Sequence, residues 1–130
     1  MSPSHAVDLP EVLDEVRAAC SRYERALVGN DVATLDELFW RDPRTLRYGT
    51  GENLYGHAEI AAFRAGRDAR ALGRRIRRRS LSTFGPDFGV ASIEFVRDGE
   101  TRVGRQTQTW VRFPEGWRVV AAHVSWMEPR

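Results

Sequence analysis

The chain contains no lysine, a single cysteine and only three histidines among its 130 residues. One thiol, Cys20, excludes an internal disulfide framework and a cysteine-based metal cluster. His5, His57 and His123 are too dispersed to show metal-ligand spacing, and no histidine is locally placed to activate Cys20. Neither a metal centre nor a nucleophilic triad is therefore expected, and no cofactor is implied. No apolar stretch is long enough to span a bilayer, and the opening MSPSHAVDLP lacks a cationic segment followed by an apolar run. A soluble, cytoplasmic protein is expected, with no membrane partner. The formal net charge of +2 creates no general demand for a polyanionic partner.

Hydrophobic residues make up 42% of the chain, including four Trp, six Phe and three Tyr, which is enough to offset ordering entropy by burial. The length suits one core and one domain, read as residues 9–130 behind a loose leader at 1–8. All 20 basic residues are arginine. The guanidinium fork matches carboxylates bidentately and stays charged when buried, although wholesale loss of lysine equally reflects genome composition.

Pro10 suits the first turn of a helix, where its missing N–H is no loss. Leu9, Leu13, Val16, Cys20, Tyr23 and Leu27 then form one apolar stripe at helical spacing, ended by Gly29-Asn30. Tyr23 accordingly faces inward. Asp31 can cap a second helix carrying Val32, Leu35, Leu38 and Phe39, which Asp42-Pro43 stops. Thr45-Leu46-Arg47-Tyr48 reads as a short strand before the Gly49-Thr50-Gly51 turn, and residues 57–70 are helical in character.

From Arg74 onward the period becomes extended. Gly85-Pro86-Asp87, Asp98-Gly99 and Pro114-Glu115-Gly116 divide the remainder into four strands, the last three near 88–96, 101–113 and 117–126. Helices first and an antiparallel meander after them make an α+β layout. In the last strand Trp117, Val119, Ala121, His123 and Ser125 share one face, and both faces are largely apolar. A strand covered on both sides implies helices over one face and a second subunit over the outer one, hence a homodimer.

Two strings, FWRDPRTLRYGTGENLYGHAEIAAFRAGR and VGRQTQTWVRFPEGWRVVAAHVSWM, resemble the AtzH/HpxZ group of the nuclear transport factor 2-like superfamily. That resemblance implies a cystatin-like cone in which three N-terminal helices pack on a curved antiparallel sheet and enclose a pocket. It further implies turnover of a small anionic carboxylated urea or ureide: decarboxylation of 1,3-dicarboxyurea to allophanate in cyanuric-acid catabolism, or a role in oxalurate breakdown. A helix tyrosine and a strand arginine are the functional pair of the decarboxylating enzyme. They fall here on Tyr23 and Arg47.

The chemistry suits those residue types. Arg47 can grip a carboxylate bidentately, and loss of carbon dioxide from an N-carboxylate leaves negative charge on nitrogen that a proton from Tyr23 would quench. Tyr23 is otherwise a core aromatic with a satisfied hydroxyl, and Arg47 otherwise pairs with Glu24 or Glu52. Arg64 is a candidate for a second carboxylate or else a snorkelling charge near a helix end. Gln108 can offer its amide to a urea carbonyl or stand on a wet face, and His123 with Ser125 can meet ligand or be internally satisfied. The arginine run at 70–79 lacks the interleaved aromatics of a single-strand platform, and a solvated helix-to-strand connection describes it better than a nucleic-acid site.

Overall fold

The computed structural model describes residues 6–68 and 72–129. Helix α1 spans Pro10–Val28, with proline at its start as expected, and α2 spans Val32–Leu38. The Asp31 carboxylate accepts from the Thr34 backbone N–H at 3.2 Å and from its hydroxyl at 2.7 Å, so α2 begins where the capping residue placed it. The helix ends earlier than Pro43, because Phe39 turns extended and bridges to Val119. Helix α3, His57–Ala65, follows Gly56, whose φ of 87° suits glycine. It stops at Gly66, short of the residue-70 limit; residues 69 and 70 lie outside the described residues.

Among the described residues six strands form one sheet in the order β2-β1-β6-β5-β4-β3: β1 Leu46–Tyr48, β2 Asn53–Tyr55, β3 Arg75–Phe84, β4 Phe88–Val96, β5 Val103–Phe113 and β6 Gly116–Met127. The four-strand meander is the one the turn signals marked. Strand β2, a three-residue piece paired antiparallel with β1, was not anticipated, and β1 runs parallel to β6, so the sheet is mixed rather than wholly antiparallel. Neither feature has a local signal, since three-residue strands carry too little period to register. The leader is also less free than expected: Asp8 accepts the Thr83 amide through its carboxylate and donates its own N–H to the Thr83 carbonyl.

Two bulges shape the sheet. One sits at Arg77 in β3; the other gives β6 an extra residue, Val120, between the Thr109–Ala121 and Trp110–Val119 pairs. An unpaired residue exchanges the two faces of a strand beyond it. Trp117 and Val119 therefore face the helices, as do Ala122, Val124 and Trp126, whereas His123 and Ser125 turn to the outer face.

The core lies between α1, α2 and the inner sheet face, with Val16, Leu35, Phe39, Trp110 and Val119 wholly buried. Glu15 on α1 accepts from the Trp117 indole at 2.8 Å, which fixes the helix against β6. Most of the arginine run is the edge strand β3, where Arg75, Arg77, Arg78 and Arg79 are exposed. Charges along an unpaired edge discourage further strand addition. Among the described residues no helix is long and apolar enough to cross a membrane.

Candidate active site

Helix α1, the end of α3 and the concave side of β1, β4, β5 and β6 leave a cavity of about 140 Å³. Its apolar wall includes Leu27, Phe63, Leu72, Phe95 and Trp126, and its polar wall holds Tyr23, Arg47, Glu52, Arg67, Arg74, Arg97 and Gln106.

Tyr23 is 5% exposed and leans on the Phe39 ring at 6.2 Å, held inward by the α1 stripe. Arg47, in the middle of β1, points to the same cavity because its neighbours Leu46 and Tyr48 alternate to the other face. Its Nη1 donates to Glu52 Oε2 at 3.0 Å, and its guanidinium sits 5.8 Å from the Phe63 ring centroid. Of the two carboxylates considered for Arg47, Glu52 is the partner; Glu24 is taken by Arg74, which donates Nε and Nη2 to it at 2.8 Å each. Arg74 Nη2 also donates to Gln106 Oε1 at 3.2 Å.

The other candidate residues separate. Arg64 is 3% exposed but does not line the cavity: it donates to Asp36 on α2 at 2.5 Å and lies 5.0 Å over Phe39, a strut between helices. Gln108 is buried on the inner face beside Cys20 and Tyr23, in a narrow cleft behind the cavity, and its Nε2 meets no acceptor among the described residues. His123 is exposed on the outer face, edge-on to Tyr48 at 5.7 Å, and Ser125 shares that face, so the Val120 bulge removes both from the cavity. His57 bonds the Asp36 carbonyl through Nε2 at 2.7 Å. Burial pushes the Cys20 thiol up to about 11, with Glu24 adding to the rise and Arg79 opposing it. It is an inert core group rather than a nucleophile.

Sequence reasoning passed over three cavity arginines. Arg67 follows α3, Arg74 precedes β3 and Arg97 follows β4, each a position where a charge ordinarily reads as solvated. Burial lowers the affinity of Arg67 for its proton, Tyr23 opposes that, and the cations of Arg47, Arg64 and Arg97 add to it. Arg97 is depressed by burial and by Arg74, with Glu100 opposing them. The cavity is thus a cationic hollow with a tyrosine on its wall. Among the described residues no group of three or more His, Cys, Asp or Glu is placed to hold a metal ion.

Comparison with known proteins gives close structural relatives. A protein of unknown function from the DUF3225 family of Pectobacterium atrosepticum is 59% identical over 94% of this chain and 95% of its own, with a TM-score of 0.92. A cystatin-like fold protein from Burkholderia xenovorans is 41% identical over 98% of this chain and all of its own, with a TM-score of 0.93. A nuclear transport factor 2-like protein with a cystatin-like fold from Novosphingobium aromaticivorans is 27% identical over 94% and 86%, with a TM-score of 0.73. Among curated proteins no significant match is found. The expected cystatin-like, nuclear transport factor 2-like cone is the fold observed. The AtzH-like family model matches residues 5–130, and the chain belongs to the AtzH-like family.

Proposed function

We propose that this protein is a cofactor-free decarboxylating amidohydrolase of a small carboxylated urea, converting 1,3-dicarboxyurea to allophanate in cyanuric-acid catabolism. The observation that carries the reading is that Tyr23 and Arg47, from a helix and a strand distant in sequence, share the wall of one small cavity. Membership of the AtzH-like family supports it.

In this scheme Arg47 holds a carboxylate and fixes the N–CO₂⁻ bond. The C–N bond breaks, carbon dioxide departs, and the electron pair stays on nitrogen. Tyr23 gives that nitrogen its proton and is reprotonated from water, so one proton is consumed for each carbon dioxide released. The apolar wall of Leu27, Phe63 and Phe95 limits water around the developing charge, which strengthens the cationic contacts.

Freshly generated 1,3-dicarboxyurea should be consumed by the purified protein with release of carbon dioxide and allophanate. Tyr23→Phe and Arg47→Ala should each lose most turnover while keeping the wild-type circular dichroism spectrum. Normal turnover in both variants would refute the assignment.

A second reading, a non-catalytic ureide-binding protein that assists an amidase of oxalurate catabolism, is favoured by Gln106, whose amide on the cavity wall suits a urea group. Thermal stabilisation by oxalurate, with no product formed from either compound, would select it.

A further inference from the structure

Four guanidinium groups line the cavity, and among the described residues two of them have a hydrogen-bonded carboxylate. Glu52 takes Arg47, and Glu24 takes Arg74. Arg67 and Arg97 make no ion pair among the described residues, and the buried Nε and Nη2 of Arg67 and Nε of Arg97 meet no acceptor. Both residues are half-buried and Glu100 acts on the charge of Arg97 from nearby, yet a desolvated guanidinium N–H without an acceptor is costly in a fold. Arg97 is held instead by aromatic faces, 5.6 Å from the Phe95 and Trp126 centroids, which fix its direction without neutralising it. Two cations with unmet buried donors on the wall of one hollow have the features of a site completed by an anion.

The fold sets this anion away from Arg47. Strands β1 and β4 are separated in the sheet by β6 and β5. At roughly 4.8 Å per strand that is about 14 Å between backbones, so Arg47 and Arg97 reach into the hollow from opposite sides. Arg67 enters between them from the end of α3, close enough to feel Tyr23, Arg47 and Arg97.

We propose that Arg67 and Arg97 form a second anion clamp, so that the cavity selects small molecules with two carboxylates over those with one. The two arginines are specificity-determining residues, with Arg47 holding the first carboxylate. This rests on the decarboxylation reading for the orientation of the substrate, since a doubly carboxylated urea has two such ends, but not for the chemistry.

The test uses inert probes. Glutarate has the chain length of a dicarboxylated urea, and its mono-amide glutaramate lacks one charge. Calorimetric titration of the wild-type protein at fixed, low ionic strength should give glutarate an affinity at least about tenfold higher, as expected for a charge-assisted, partly desolvated contact. Arg67→Gln and Arg97→Gln should each bring that ratio toward one, with little change in glutaramate affinity. Thermal unfolding supplies a readout that a structural role would move in the opposite sense: both variants should melt no lower than wild type without ligand, yet gain less from glutarate. Equal wild-type affinity for the two probes would overturn the proposal without any variant being made, as would an unchanged ratio in both. Tyr23-dependent turnover of dicarboxyurea without glutarate preference sinks the clamp and leaves the reaction standing. Glutarate preference without turnover does the reverse.

Discussion

Glu52 closes onto Arg47 at 3.0 Å because residue 49 has no side chain: a Cβ built on Gly49 would stand 1.4 Å from Glu52 Oε2. The turn between β1 and β2 therefore governs how the Arg47 cation is held in the cavity. Gly49→Ala should displace the Glu52 carboxylate, free Arg47 to swing, and lower kcat/KM about tenfold, of the order of a lost positioning contact. Steady-state kinetics alongside the melting curve would check it. An unaltered kcat/KM would show that the Glu52 contact does not position Arg47.

A second glycine shapes the cavity floor. Phe95 packs over Gly104 so closely that a Cβ there would sit 2.2 Å from the ring, and Phe95 in turn carries Arg74 at 4.4 Å and Trp126 at 5.5 Å. Gly104→Ala should force the ring toward the cavity, costing about 1–3 kcal/mol as overpacking does. Urea unfolding would measure the loss, and glutarate should no longer raise the Tm.

The Arg74–Glu24 pair is bidentate and largely buried, with side-chain exposures of 2% and 19%. Removing only the anion strands a buried cation. Glu24→Leu should therefore cost on the order of 3 kcal/mol, whereas Glu24→Leu with Arg74→Met should recover much of that. Chemical denaturation of the two single variants and the double variant closes the cycle.

Cys20 is held protonated by burial, with its folded value near 11 against 9.0 for a free thiol. Between those values the unfolded chain has lost the proton and the folded chain has not, so stability should be full below pH 9 and fall as pH rises toward 11. Thiol alkylation of the native protein at pH 8 should be slow and become rapid in urea. Rapid native labelling would contradict the buried placement.

The outer sheet face carries Tyr48, edge-on to both Tyr55 at 5.9 Å and His123 at 5.7 Å, and a hydroxyl contact between Ser92 and Thr107. We propose that a second copy of the chain covers this face. Sedimentation should give a dimer at about 10 μM, in the range where standard-size interfaces hold, and Thr107→Arg in its centre should give a monomer. A monomeric wild-type protein would defeat the proposal.

Local signals were enough for most of the architecture. The Asp31 cap, the α1 stripe that turns Tyr23 inward and the three turns of the meander each act within a few residues, and each element appears where those signals set it. Arg47 was legible for the same reason, as a charge inside a short strand.

The rest depended on pairings between distant segments. A single unpaired residue, Val120, sends His123 and Ser125 to the far face, and nothing around Val120 announces a bulge because its effect exists only against β5. Arg64 goes to Asp36, 28 residues away, rather than to the cavity. Arg67, Arg74 and Arg97 each look solvated beside their own neighbours; closing the sheet around α1 and α3 turns three separate surface charges into one cationic wall. By itself the sequence determined which segments are helix and strand, since capping, periodicity and turn chemistry are local. Only the tertiary structure decided which charges meet and which are left without a partner, because side-chain neutralisation depends on distances through space that no spacing along the chain encodes.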